Sequence, residues 1–426
     1  MRNFICIWFG QVISLIGSGL TSFALGVWVY QLTGSTIQFS LIYLFIELPY
    51  ILVAPLSGVI ADNWNRRWIM ILADIASGIS TFLVAILLYY DALKIWHVYL
   101  AIAFHSISEG FQIPAYHSIP TLLVNKKYFG QVNGMIQLSL AAEKLLSPVL
   151  AGILLEAIQL KGIILIDFAT FGIALLTLLF VRFPKHQLNI KNKISENRPW
   201  KEISDAWNYI WRRPGLFNLL MFFVITNFTI GLAQVLITPM VLGFTDVQTL
   251  GKILSIAGSG YFFGAILMTA WGGSNKKIQR VFCFEIFLGI GILLTGLRPS
   301  PILITVSGFL VFFSIPIIMG CANAIRQVKV APEYQGRVFA IWGAIAYSSF
   351  PLAYVIAGPL TDYIFQPLLL EGGLLSNSIG TLIGVGVGRG IGLMFILIGI
   401  LVILATTIAY QYPSIRFVED RLPDIK

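Results

Sequence analysis

The chain has 426 residues, 57% of them hydrophobic and 11% charged, with a formal net charge of +9. A soluble protein needs about a quarter of its residues charged to wet its surface, so this composition excludes a large-cored soluble enzyme and points to a polytopic membrane protein. Cys6, Cys283 and Cys321 stand apart in apolar sequence, without metal-ligand or disulfide spacing, and each is predicted to pack in the core.

Apolar segments fall at 4–30, 37–60, 69–90, 96–119, 130–157, 162–183, 215–242, 250–272, 279–297, 301–325, 337–361 and 388–411. Each is long enough for a tilted helix across a hydrocarbon layer of about 30 Å. Barrel strands would be about half as long and would alternate with period two. The predicted fold is therefore all-α and polytopic, with twelve transmembrane helices in two pseudo-symmetric six-helix bundles. The first block begins almost at residue 1 and many others follow, so a cleaved signal peptide is not expected.

Lys and Arg collect in alternate loops. One side holds Arg2, Arg66, Arg67, Lys126, Lys127, the cluster between Arg182 and Arg213, Lys276, Lys277, Arg280, Arg326, Lys329, Arg337 and the tail cations Arg416, Arg421 and Lys426. The other holds little beyond Lys94, Lys161, Lys252, Arg298 and Arg389. The positive-inside bias then places both termini in the cytoplasm. The excess charge is explained by topology, and no nucleic-acid partner is expected.

The longest polar stretch divides the chain into a first helical set (1–183), a cytoplasmic linker (184–213), a second set (214–412) and a tail (413–426). Within the linker, Trp200, Ile203, Trp207, Ile210 and Trp211 share one helical face, as in a helix lying along the membrane interface. Lys201, Arg212 and Arg213 are predicted to meet anionic lipid there.

The two sets echo each other. Gly130 and Gly336, Val132 and Val338, Gly152 and Gly358, and Glu156 and Asp362 all repeat at one offset, which points to internal duplication. Duplicated halves suit a transporter that rocks around a central site. A looser echo of the turn that follows the second span occurs at Gly272-Gly273-Ser-Asn-Lys276-Lys277. Residues 363–387, with glycines at 380, 384, 386, 388 and 390 at their end and beyond, form the last external loop. Without a preceding strand they are no dinucleotide fingerprint. A packing device is favoured there over a lid.

Ionisable residues inside apolar spans mark either a pairing or a substrate or ion path. Glu47, Glu109, Glu143 and Lys144 are the candidates for such a path, with Glu285 and Asp74 also inside spans. Pro148 and Gly152, in the fifth span, are candidate packing or hinge positions. Gly58, Asp62, Arg66 and Arg67, with Arg326 and Arg337 on the same side, form a candidate cytoplasmic gate, in which the Asp62 carboxylate accepts from a neighbouring helix end or pairs with a nearby arginine. His97, His105, His117 and His186 are too dispersed for a metal site, and no nucleotide loop or hydrolase elbow is present. Neither a cofactor nor an enzymatic activity is expected.

Gly58-x-x-x-Asp62-x-x-x-Arg66-Arg67 resembles the signature between the second and third helices of the major facilitator superfamily, with Asn63 and Asn65 at two positions that are usually basic and glycine. Trp8-Phe-Gly-Gln11-x-x-Ser14-x-x-Gly17-Ser, with Ala54-Pro55-x-x-Gly58, is most similar to the macrolide-efflux group of drug:proton antiporters. Ser147-Pro148-Val-Leu-Ala-Gly152 keeps the proline and one glycine of that class's fifth-helix element. The resemblance implies a monomeric bacterial inner-membrane exporter of a small amphipathic, hydrophobic or cationic compound, coupled to protons and in contact with membrane lipids. A lipid or lysolipid transporter of the same fold and a non-transporting sensor or scaffold are the alternatives.

Overall fold

The computed structural model describes residues 2–119, 123–124, 129–181, 199–271 and 276–421. Their regular structure is helical throughout. In order come α1 (Arg2–Thr33), α2 (Thr36–Asn63), α3 (Arg66–Tyr89), α4 (Ile95–Ser118), α5 (Phe129–Phe180) and α6 (Pro199–Trp211). There follow α7 (Pro214–Leu242), α8 (Val247–Trp271), α9 (Lys277–Leu297), α10 (Pro301–Lys329), α11 (Pro332–Tyr347), α12 (Ser349–Pro359) and α13 (Arg389–Gln411).

Among the described residues ten helices are long and apolar enough to cross a membrane, not the twelve that the sequence predicts. Two features account for the difference. The fifth and sixth predicted spans run together in the 52-residue α5, whose backbone leaves helical geometry only at Gln159 (φ 56°, ψ −176°). The fourth, α4, carries His97, His105, Glu109 and Gln112 and is not among the ten.

The chain divides into two compact units, Met1–Lys191 with Asp246–Ser255, and Asn192–Thr245 with Ile256–Lys426. The first break falls inside the predicted linker. The second gives residues 246–255, predicted to belong with the second helical set, to the first unit.

Within the first unit α1 lies along α5, α2 along α4, and α3 between α4 and α5. Within the second, α7 lies along α12 and α13, and α9 between α10 and α13. Two of these pairings recur: α1 along α5 corresponds to α7 along α12 and α13, and α3 between α4 and α5 to α9 between α10 and α13. Val132 and Val338, equivalent under the predicted duplication, are both fully buried.

Lipid tails are as apolar as leucine, so helices in a membrane associate through close packing and small residues. A Cβ at Gly10 would come 2.7 Å from Thr177 Cγ2, and one at Gly264 would meet the carbonyl oxygen of Phe313. Gly296 and Gly392 bring α9 and α13 together backbone to backbone. A core of Phe4, Ile7, Met70, Ile119, Val132 and Leu178 closes one end of the first unit.

Cys321 is buried as predicted, whereas Cys6 and Cys283 are exposed. The outer face of a membrane helix is as apolar as its inner face, so apolar surroundings in sequence do not separate the two. Helix α6 is present; the side chains of Trp200, Lys201 and Ile203 lie outside the described residues, and among those described Ala206, Tyr209 and Ile210 are buried while Trp211 is exposed. Tyr209 was not on the predicted face. Its hydroxyl accepts from Ala331 N at 3.0 Å and its ring stacks on Tyr334 at 4.9 Å. Arg213 lies 3.5 Å over the Tyr209 ring.

The loop before α13 is packed by its own residues: Leu369 and Ile383 are buried with Leu393. Gly384, Gly386 and Gly388 adopt positive φ (97°, 121° and 81°), a conformation favoured only by glycine. Beneath them Arg389 is 4% exposed and donates to the carbonyl oxygens of Gly296 (2.8 Å) and Leu297 (3.3 Å), capping the end of α9.

Candidate functional site

Four ionisable residues of the first unit converge on a cavity of ≈ 220 Å³ lined by α1, α2, α3, α4 and α5. Glu109 from α4, Glu143 from α5 and Asp167 from the later part of α5 line it together with His105. Ser18, Thr21, Ser22, Ser80, Thr81 and Ser106 supply hydroxyls, and Leu15, Leu25, Ile46, Val84, Ile102 and Ile164 supply apolar wall. Helical spacing explains part of this grouping. Residues four apart share a face, and His105 Nδ1 stands 4.0 Å from Glu109 Oε2.

Asp167 is 1% exposed and accepts from Ser18 Oγ and Thr81 Oγ1, both at 3.4 Å. Its approach to α1 is possible because position 17 is glycine: a Cβ there would lie 3.0 Å from Asp167 Oδ1 and closer still to Thr170 Oγ1. Gly19 makes the same allowance for Ser147 and Glu143. The opening motif of the chain is therefore the surface on which the α5 carboxylates rest.

Of the four path candidates, Glu109 and Glu143 line the cavity. Glu47 is half-buried on α2 beside the lining residue Ile46, near enough to Glu109 for their like charges to repel. Lys144, next to Glu143, is exposed and does not line it, because consecutive helical residues point about 100° apart. Asp167 was missed by the sequence reading, although a lone aspartate in the run Ile163-Ile-Leu-Ile-Asp167-Phe carries the same signal as Glu47.

A second polar cluster surrounds Asp74. Asp74 is 2% exposed and accepts from Gln112 Nε2 at 2.6 Å and Gln11 Nε2 at 3.2 Å, while Gln112 also donates to Gln11 Oε1 at 2.9 Å. The three residues tie α1, α3 and α4 together. In the second unit Glu285 is 1% exposed, and its Oε2 has no hydrogen-bond partner among the described residues.

The side chains of Gly58, Asp62 and Arg337, three of the gate candidates, lie outside the described residues. Arg67 donates from Nε to Leu178 O at 3.0 Å and from Nη2 to Leu179 O at 2.9 Å, capping the end of α5. Asn65, where the resemblance would place a glycine, is the N-cap of α3 and accepts from Arg67 N at 3.0 Å. Arg326 projects into a pocket of the second unit lined by Phe339 and Trp342.

Pro148 and Gly152 lie where residues 246–255 pack against α5. A Cβ at Gly152 would be 3.1 Å from Val247 O, and Ser255 Oγ donates to Leu145 O at 2.6 Å. Proline cannot donate to the carbonyl four residues earlier, so α5 is already without one backbone bond beside this contact.

The profile of the Major Facilitator Superfamily matches residues 7–354. Macrolide efflux protein A of Streptococcus pyogenes is 29% identical over 375 residues, covering 85% of this chain and 90% of that protein. The multidrug efflux pump Tap of Mycolicibacterium fortuitum is 20% identical, covering 81% and 86%. Among solved structures, the nucleoside transporter NupG superposes with a TM-score of 0.72 at 14% identity, covering 97% of this chain and 100% of that one. A bacterial homologue of the human lysosomal transporter Spinster, inward-facing and unoccupied, gives 0.71 at 15% identity, covering 99% and 98%.

Proposed function

The chain belongs to the Major Facilitator Superfamily, and from that membership we propose that it is a proton-coupled exporter of amphipathic, hydrophobic or cationic small molecules. Secondary transport of small molecules across a membrane, without catalysis, follows from the family itself. The finer reading is carried by one observation: three carboxyl groups, Glu109, Glu143 and Asp167, share one cavity with apolar walls. Such a cavity suits a cation with a hydrophobic body, and the same carboxylates exchange protons. Proton and cargo then compete for one negative site, and that competition makes an antiporter: cargo leaves when protons arrive. The efflux proteins among the relatives support this direction of transport.

The architecture we propose has twelve spans in two six-helix bundles, with α5 counted as two arms meeting at Gln159 and α4 as a span. The two pairings that recur inside the units support it. Both termini lie in the cytoplasm and the membrane is the bacterial inner membrane. At the cytoplasmic end, the proposed gate residues are Gly58, Asp62, Arg66, Arg67, Arg326 and Arg337.

The test is flux in reconstituted vesicles with an imposed pH gradient, using a macrolide and a fluorescent cationic dye. Glu143→Gln and Asp167→Asn each reduce gradient-driven movement at least tenfold. Wild-type rates in both variants would refute the assignment of cargo and protons to this cavity.

A further inference from the structure

The second unit has a pocket of its own, ≈ 220 Å³, whose charge is opposite to that of the cavity in the first. Arg326 enters it from the last turn of α10, with its guanidinium carbon 4.9 Å from the Trp342 ring centre and 5.6 Å from that of Phe339. Phe223 and Tyr347 complete an aromatic wall, and Asn227 is held aside by its bond to Ala346 O at 3.1 Å.

The guanidinium is poorly satisfied. Its one hydrogen bond among the described residues goes from Nη2 to Asn323 Oδ1, Nε makes none, and none of the described ion pairs includes it. Lys329, one turn later on the same helix, is used differently, donating from Nζ to Glu419 O in the tail. Arg326 therefore retains a cation and donors facing a cavity, in a span where charged groups mark a ligand path. Stacked arginine is a planar fork that matches carboxylate or phosphate oxygens two at a time, while the rings beside it accept an apolar body.

We propose that the pocket of Arg326, Phe339 and Trp342 binds the carboxylate or phosphate group of an amphiphile. The anion takes the fork on the side Asn323 leaves open, and the aromatic wall covers the adjoining apolar part. The ligand is either a soluble amphiphile or the headgroup of a membrane lipid. The inference stands on the second unit alone and does not depend on the proposed cation cavity.

The experiment uses the full chain purified in detergent and compares 2-naphthoate with its neutral counterpart 2-naphthylmethanol by isothermal titration. The wild type binds the carboxylate at least tenfold more tightly than the alcohol. Arg326→Gln brings the carboxylate down to the affinity of the alcohol, and Arg326→Lys, which keeps the charge without the fork, falls between. Trp342→Ala weakens both probes. A lipid arm measures phosphatidylglycerol and phosphatidylcholine retained through purification by mass spectrometry. Retention of phosphatidylglycerol that disappears in Arg326→Lys assigns the pocket to a lipid headgroup; binding of naphthoate without such retention assigns it to a soluble amphiphile. Equal affinity for the two naphthyl probes in the wild type, with no Arg326-dependent lipid, overturns the proposal. So does a charge preference that survives in folded Arg326→Gln. Cation flux in Glu143→Gln reports on the first-unit cavity alone, so failure of the transport reading is scored separately from the naphthoate and lipid binding.

Discussion

Replacing Gln112 by leucine tests whether the buried Asp74 cluster holds the first unit together. Gln112 donates to the Asp74 carboxylate at 2.6 Å and to Gln11 Oε1 at 2.9 Å, and Gln112→Leu deletes both bonds. A hydrogen bond to a charged group contributes about 1.5–3 kcal/mol and a neutral one about 0.5–1.5 kcal/mol. Leucine is close in volume to glutamine, so little cavity term is added. The expected loss is about 2–4 kcal/mol, most of it from leaving a carboxylate that is 2% exposed with the longer bond from Gln11 as its remaining hydrogen bond. Removing both should cost less than the sum of the single losses, because the buried carboxylate is then gone and the group left without these partners is the uncharged, half-buried Gln11 amide. Asp74→Leu/Gln112→Leu is therefore expected to retain about 1–3 kcal/mol more stability than the sum of the single variants predicts. Thermal unfolding of the purified full chain, followed by tryptophan fluorescence in one detergent, measures all four corners of the cycle. A Gln112→Leu variant that melts with the wild type, or strict additivity in the double variant, would refute the argument.

Gly17→Ala forces a methyl group against Thr170 and Asp167; overpacking of this kind costs about 1–3 kcal/mol, and Thr170→Ala in the same chain should recover much of it in the same melting assay. Arg67→Gln removes the donors to Leu178 O and Leu179 O, lowering stability by about 1 kcal/mol and raising hydrogen exchange at the end of α5. Asp246 caps α8 by accepting from Thr249 N at 2.7 Å, and this bond holds its carboxyl below the ordinary value of 3.8. Because the folded value is depressed, the cap contributes fully above that ordinary value and is lost as pH falls through the folded one. Protection from hydrogen exchange at Thr249 and Leu250, taken relative to the intrinsic rate at each pH, should therefore fall at low pH in the wild type and already be low at neutral pH in Asp246→Ala. Slow exchange in that variant at neutral pH would show that the carboxylate is not the cap.

What the sequence made legible follows from how strongly lipid constrains a chain. Spans must be long, apolar and internally hydrogen-bonded, so the order of helices from Phe4 to Tyr410 could be read from hydropathy alone. The turn at Gln159 falls in the gap 158–161 between the fifth and sixth predicted spans, where Glu156, Gln159, Lys161 and Gly162 interrupt the apolar run. The hydropathy signal weakens instead in the fourth span. Helix α4 carries enough polar residues to leave the set of strongly apolar spans, and of these His105 and Glu109 face the cavity and Gln112 faces Asp74, while His97 accepts from Lys94 N at the helix start. The polar groups of α4 thus weaken its hydropathy signal for the same reason that they matter.

Partners were harder to read than positions. Glu109 and Glu143 are cavity residues because α4 and α5 both pack in the first unit, a tertiary fact that spacing along either helix does not contain. Gln11 is 63 residues from Asp74, and Gln112 is 101 from Gln11. Yet glycine spacing in α1 did carry tertiary information in a form that can be used elsewhere. Gly10 and Gly17 are seven residues apart and meet Thr177 and Thr170, which are also seven apart and run in the opposite order. Two small residues on one helix face, matched by two threonines at equal spacing in a later apolar run, describe an antiparallel close contact before any coordinates exist. Placing that contact brings Asp167, three residues before Thr170, against Ser18, one residue after Gly17. The carboxylate missed by a residue-by-residue search is thus fixed by the same helix pair that the opening motif of the chain specifies.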